Sequence, residues 1–268
     1  MDKTRLVTDT ETAEPTARLA VLIDADNAPA AVSDGLFAEI ARFGEATVRR
    51  IYGDFTSTAS GQWKKVLNYH AIKPVQQFAY TTGKNATDSM LIIDAMDLLY
   101  TRRFDGFCLV SSDSDFTGLA LRIREEGLRV IGFGEQKTPE AFRNACHRFV
   151  FTEFLRLSKS KASQAGAKNA ASAAAAPSAP APLVAQRPEF PRKFVLEALE
   201  EASDDTGWTH LGSLGSYLAK LQPDFDSRLY GFKKLSDLVK GNADLFEWEE
   251  RPIQGSSAKM LYVRPKAR

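Results

Sequence analysis

The sequence predicts an α/β fold, a parallel sheet with helices on both faces, followed by a small C-terminal winged helix-turn-helix domain. Three observations predict it. Apolar strand-like runs alternate with amphipathic helical runs over residues 18–157. An Ala/Pro/Ser-rich stretch then breaks the pattern at 158–188. Beyond it, three helical segments precede two short strands around a polar turn. A β-α alternation with continuous apolar strands is the mark of a parallel sheet covered on both faces.

The elements follow in order. RLAVLID (18–24) is a buried-strand pattern, and PAAVSDGLFAEIARF (29–43) has helical spacing. ATVRRIYG (46–53) is strand-like, GQWKKVLNYHA (61–71) helical and IKPVQQFAY (72–80) strand-like. ATDSMLIIDAMDLLYTR (86–102) reads as a long helix. FDGFCLVSSD (104–113) is a strand, FTGLALRIREEG (116–127) a helix and LRVIGFG (128–134) a strand. Thr138-Pro139 offers a helix N-cap and a proline at the first helical position. After the interruption, 191–202, 211–221 and 227–241 are helical, and 244–250 and 259–265 are strands around QGSSA.

The stretch 158–188 holds 12 alanines in 31 residues, prolines at 177, 180, 182 and 188, and no aromatic residue. It cannot build a core, and the prolines prevent one long helix, so a flexible linker is expected. Residues 1–17 are expected to be a disordered tail, 18–157 the first domain and 189–268 the second.

Composition narrows the function. The chain has 268 residues, enough for two domains; 44% are hydrophobic and 26% charged. No run of about 18 apolar residues exists, so no transmembrane helix is expected. The polar first residues lack the apolar core of a secretory signal, and the reading is a cytoplasmic protein without membrane contact. Two cysteines exclude a disulfide scaffold or a four-cysteine zinc site, and three histidines make a zinc-dominated site improbable. Net charge is +1: residues 158–188 carry +4, residues 18–157 balance to zero and residues 189–268 carry −1. Nucleic-acid binding by the folded parts must therefore come from local patches.

In an open parallel sheet, ligands bind beyond the carboxyl ends of the strands, where strand order reverses. The first strand ends in Asp24-Ala25-Asp26-Asn27, and the strand at 104–112 runs into Ser111-Ser112-Asp113-Ser114-Asp115. If these strands are neighbours, at least three acids converge. At 100° per residue, Asp88 shares the apolar stripe of Leu91, Ile92, Ala95 and Leu99, with Asp94 and Asp97 on the other side. A carboxylate there needs a compensating cation or donors. A divalent metal would serve, and Lys84 is a second candidate. An all-oxygen cluster suits Mg²⁺ or Mn²⁺ and phosphodiester hydrolysis. Each piece has a second reading. Asp26 or Asn27 and Asp113 are also helix-capping residues, and Asp88 also suits a helix N-terminus.

The set Ile23-Asp24-x-x-Asn27, Gly83-Lys84-Asn85-x-x-Asp88, Ser111-x-Asp113-x-Asp115-Phe116 and Thr138-Pro139…Cys146…Phe149 resembles the NYN domain, a PIN-like nuclease group with LabA-like members. The resemblance covers about 18–157. It implies a Rossmann-like PIN/NYN sheet and a metal-dependent ribonuclease. Asp24, Asp88, Asp113 and Asp115 are the implied catalytic residues and metal ligands, and Asn27, Lys84 and Ser111 the supporting ones. Many members carry Gly-Val-Asp after the lysine, where this chain has Asn85-Ala86-Thr87-Asp88. The segment Phe225-Asp226…Tyr230-Gly231-Phe232-Lys233-Lys234-Leu235, then Phe246-Glu247 and Leu261-Tyr262-Val263, resembles the OST-type helix-turn-helix, or LOTUS, domain. That family implies RNA binding or protein docking. Arg228, Lys233, Lys234 and Lys240 are the candidate RNA-binding residues, on the third helix; a solvated helix face is the alternative.

Other features carry less. Gly132-Phe-Gly134-Glu-Gln-Lys137-Thr138 lacks the second glycine of a P-loop. Asp54 reads as a turn residue, Cys108 as core, and Cys146 with His147 has no third partner. The leading reading is an endoribonuclease with a tethered RNA- or partner-binding domain. The competing readings are a non-catalytic RNA-binding adaptor and a haloacid-dehalogenase-like phosphatase, whose opening motif Asp24-x-Asp26 matches in part.

Overall fold

The computed structural model describes residues 16–56, 60–78, 86–156, 188–252 and 259–266. The expected tail over 1–15, nearly all of the expected linker, Lys84 and the turn at 254–258 lie outside the described residues.

The first unit is built on six strands: β1 (Arg18–Asp24), β2 (Glu45–Gly53), β3 (Lys73–Gln76), β4 (Gly106–Val110), β5 (Arg129–Gly134) and β6 (Arg148–Phe151). They form one sheet in the order β3-β2-β1-β4-β5-β6, and every pairing is parallel. β1 and β4 are neighbours, so chain order reverses between them. Its helices are α1 (Ser33–Ile40), α2 (Lys64–Leu67), α3 (Ala86–Tyr100), α4 (Thr117–Glu125), α5 (Glu140–Ala145) and α6 (Glu153–Arg156).

Alternation along β1 explains the two layers, since successive side chains of a strand point to opposite faces. Leu19, Val21 and Ile23 pack with Leu36 and Ile40 of α1, Trp63 and Leu155. Ala20 and Leu22 pack on the other face with Leu91, Ala95 and Leu99 of α3, Ile123 of α4 and Phe142 of α5. β4 is buried throughout. Parallel strands buried on both faces read as unbroken apolar runs, which is why the sequence located them.

Three details differ from the sequence reading. β6 is an extra strand. The helix expected over 61–71 shrinks to a 3-10 turn (Ser60–Trp63) and the four-residue α2. Asp94, placed on the outer side of α3, is buried. Its carboxylate accepts from Arg50 and from the Tyr52 hydroxyl, both on β2. A paired carboxylate tolerates burial that an unpaired one does not.

The second unit has α7 (Arg192–Glu201), α8 (Leu211–Leu221) and α9 (Leu235–Gly241), with β7 (Thr209–His210), β8 (Phe246–Pro252) and β9 (Lys259–Pro265). The antiparallel sheet runs β7-β9-β8. Its own core holds Val195, Leu199, Leu214, Leu218, Phe225, Leu238, Phe246 and Val263. The helix expected over 227–241 is broken. A 3-10 turn (Ser227–Tyr230) stops at Gly231, whose φ of +89° is left-handed, and α9 begins only at Leu235. Glycine takes that backbone without a Cβ clash.

The two units touch. Arg143 of α5 pairs with Asp224, and Arg228 pairs with Glu39 of α1 at 3.4 Å. The Phe149 amide of β6 donates to the Pro223 carbonyl at 2.9 Å. The Arg228 guanidinium lies 5.1 Å from the Phe154 ring centre, and Leu229 packs on the α3–α5 side of the first core. Among the described residues, no helix is long and apolar enough to cross a membrane.

Candidate functional site

β1 and β4 end side by side, and the chain leaving each carries the acids. Asp24, the last residue of β1, is wholly buried. One carboxylate oxygen accepts from the amides of Asp26 (3.0 Å) and Asn27 (3.3 Å). The other accepts from Asn27 Nδ2 (2.7 Å) and Ser111 Oγ (2.8 Å). Burial raises the Asp24 pKa, and the hydrogen bonds from Asn27 and Ser111 oppose the rise.

A chain of hydrogen bonds runs outward from it. Ser111 Oγ donates to Asp24 and accepts from the Asp113 amide at 3.1 Å. Asp113 Oδ1 accepts from the Asp115 amide at 2.9 Å. Asp113 thereby caps the 3-10 turn Ser114–Phe116, as its capping reading foretold. Gly134 keeps this corner tight, because a Cβ there would stand 2.6 Å from the Ser111 carbonyl oxygen.

Asp88 enters from the first turn of α3. Asp88, Asp113 and Asp115 each present a carboxylate oxygen, and these three atoms lie within 4.8 Å of one another. Asp24 stands outside that trio but close enough to act on it. Asp88 has its pKa pushed up to about 6, by burial first and then by the charges of Asp24, Asp113, Asp115 and Asp26. Like charges this close disfavour full ionisation. A hard divalent cation relieves the repulsion, and an all-carboxylate donor set suits Mg²⁺ or Mn²⁺.

So the structure brings Asp88, Asp113 and Asp115 together as one oxygen cluster, with Asn27 and Ser111 beside it through Asp24. The proposed four-acid set becomes three acids plus a buried fourth that ties the two strand ends together. Asp54 is a turn residue, accepting from Thr56 and from Gln76 Nε2. The Cys146 thiol donates to the Phe142 carbonyl, and His147 Nδ1 accepts from the Val130 amide. Cys146 is buried in the core, whereas His147 is exposed.

The basic residues of the second unit divide. They do not share one helix: only Lys240 lies in α9, because the backbone turns at Gly231. Arg228 is held by Asp226 and Glu39. Lys240 pairs with Glu250 at 3.3 Å and lies 4.6 Å from the Trp248 ring centre. Lys233 and Lys234 have no ion pair or side-chain hydrogen bond among the described residues. The sequence reading missed the Arg50–Tyr52–Asp94 group and the arginine–aspartate pairs between units. The Asp94 group left a faint signal, an Arg-x-Tyr pair on one face of β2.

The NYN domain model matches residues 18–155, and the OST-HTH/LOTUS domain model matches residues 186–257. Among solved structures, an uncharacterized protein of Nitrosomonas europaea is 57% identical, covers 38% of this chain and 94% of its own, and has a TM-score of 0.30. A protein of unknown function from Vibrio parahaemolyticus is 18% identical over 52% of this chain and 95% of its own, with a TM-score of 0.44. A protein from Chromobacterium violaceum is 31% identical over 30% of this chain and 84% of its own, with a TM-score of 0.24. No curated protein matches.

Proposed function

The chain belongs to the NYN domain family, and on that premise we propose that it is a metal-dependent endoribonuclease with a C-terminal RNA- or partner-binding domain. NYN domains are PIN-like nucleases and LOTUS domains bind RNA or dock proteins, which supports RNA as the substrate class. The carrying observation is the Asp88–Asp113–Asp115 cluster at the β1/β4 reversal. The reading keeps 18–157 and 189–268 as domain limits and the cytoplasm as the place of action.

In this reading Asp88, Asp113 and Asp115 hold Mg²⁺ or Mn²⁺. When bound, the ion polarises the phosphoryl oxygen and makes a water more acidic. The protein's own groups supply position. Asp24 fixes Ser111 and Asn27, and Ser111 fixes the Asp113 backbone. The capping bond from Asp115 then orients the Asp113 carboxylate. Without a cation, four neighbouring carboxylates repel an RNA phosphate. Asp24 is wholly buried with both oxygens hydrogen-bonded, which weighs against its use as a phosphatase nucleophile.

The test is incubation of purified protein with labelled structured and single-stranded RNAs, with and without Mn²⁺ or Mg²⁺. p-Nitrophenyl phosphate runs alongside. Metal-dependent internal cleavage of RNA is expected, with no phosphate release from the ester. RNA binding without cleavage under any divalent metal would leave the adaptor reading in its place.

A further inference from the structure

A cleft of about 530 Å³ opens where the two units meet. It is away from the acidic rim: its first wall is the end of α1 and the start of β6, and its second wall is α8 with the loop before α9. The space exists because α8 presents only small residues to it. Gly212, Gly215, Ser216 and Ala219 recur at helical spacing on one face.

The charges around the cleft do not balance. Five cationic side chains line it, Arg42, Arg148, Arg228, Lys233 and Lys234, against two acids, Glu39 and Asp226. Both acids are already engaged. Arg228 takes Asp226 through its Nε and Nη2, and Arg42 takes Glu39 at 3.1 and 3.2 Å. Arg148 comes no nearer to Asp226 than 3.9 Å. Lys233 and Lys234 have no partner among the described residues. Three cations thus face one cavity with their charge largely unanswered, in a chain whose net charge is only +1. Burial also lowers the Arg148 pKa, the cost of holding that charge away from water.

We propose that this cleft binds a phosphate-bearing ligand of about one or two nucleotides' size, in a site completed only by the docking of the two units. Arginine offers planar paired donors to a phosphate, lysine a mobile point charge, and the volume lies in the range of small-ligand sites. Two sources supply that chemistry, the backbone of an RNA strand and a free nucleotide. The proposal rests on the RNA reading for the choice of the first probe only. Its test uses no metal and reads no cleavage, so failure of the nuclease reading leaves it standing and the reverse.

The experiment uses the full chain in EDTA at low salt. A labelled short single-stranded RNA is titrated by anisotropy, and ADP and inorganic phosphate by calorimetry. Lys233→Ala with Lys234→Ala should weaken binding by about tenfold or more, because two charge-assisted contacts are lost. For RNA it should also reduce the salt slope by about 1.4, at roughly 0.7 per phosphate contact. Arg42→Gln with Arg148→Gln, both on the opposite wall, should weaken the same probe several-fold. Lys64→Ala with Lys65→Ala, on α2 and outside the cleft lining, should leave binding within about twofold of the wild type. Thermal melts of each variant establish that it folds. Response of RNA alone names the strand as the source, and an equal response of ADP names the free nucleotide. The proposal is overturned if no probe binds the wild type, or if binding ignores the lysine pair. It is equally overturned if the Arg42→Gln, Arg148→Gln pair has no effect, since the site then belongs to one unit alone.

Discussion

Two groups of aspartates stand out in this molecule, one at the seam between units and one at the acidic rim, and they are handled in opposite ways. At the seam between units, Asp224 meets Arg143 and Asp226 meets Arg228. At the rim, Asp24 is held by neutral donors, while Asp88, Asp113 and Asp115 face one another. The seam acids each meet an arginine, whereas at the rim burial pushes the pKa of both Asp24 and Asp88 up. Burial of an acid therefore does not mark a site by itself. What distinguishes the rim is a set of carboxylates that face one another, a repulsion that a divalent cation would relieve.

The comparison can be broken or sharpened in four ways. The largest effect is expected from Asp113→Asn. The amide keeps the shape and the capping bond but removes a unit of charge. Metal-dependent cleavage of labelled RNA should fall by roughly 10²–10³, with a melting temperature in EDTA no lower than that of the wild type. Unchanged cleavage would place the chemistry elsewhere.

At the seam the response should be structural. Asp224→Asn leaves Arg143 half-buried without its counter-charge. The cost should be about 2 kcal/mol, less than the 3–5 kcal/mol of a fully buried pair. Differential scanning calorimetry should show a Tm lower by about 4–8 °C. Cleavage at the rim should stay within about twofold of wild type. A silent Asp224→Asn would erase the contrast.

Metal should distinguish the groups in the same currency of stability. Mg²⁺ or Mn²⁺ at about 100 times its Kd should stabilise the wild type by about 2.7 kcal/mol. Asp88→Asn should lose most of that gain, and Asp224→Asn none of it. Equal gains in all three proteins would mean the ion binds somewhere other than the rim.

The smallest effect concerns pH. Folded Asp88 has a pKa of about 6 against an ordinary 3.8. The folded state holds this proton more tightly than the unfolded chain. The stability gained through it is full below about pH 4 and is lost as pH rises through about 6. In EDTA, Asp88→Asn should therefore be more stable than wild type at pH 7, and the difference should shrink on acidification. A difference constant from pH 4 to 7 would show that Asp88 does not feel its neighbours.

Much of this was legible in the residues, for identifiable reasons. β1 and β4 are buried on both faces, so their apolar runs are continuous, and the acids follow them directly in sequence. Asp88 was placed by helical periodicity on the stripe that faces Leu91. The same arithmetic failed for Asp94, because periodicity weighs hydrophobicity and knows nothing of Arg50 and Tyr52 across the layer. β6 is four residues long, too short for a strand pattern to stand out. Gly231 inside 227–241 was visible, but a glycine in a helical pattern does not announce a left-handed turn. The seam was invisible altogether. Arg143 and Asp224 are 81 positions apart, and no local pattern reports such a pair.

One seam contact has a consequence for the first unit on its own. β6 pairs with β5 on one side only, and the amide of Phe149 on its other side finds the Pro223 carbonyl of the second unit. The second unit is in this respect a guard on an open sheet edge. A chain ending near residue 157 would expose that edge, with Phe149, Val150 and Phe151 in sequence, as a template for strand-to-strand association. Such a truncated protein should self-associate in light scattering at concentrations where the full chain stays dispersed, and a charged residue engineered into β6 should restrain it.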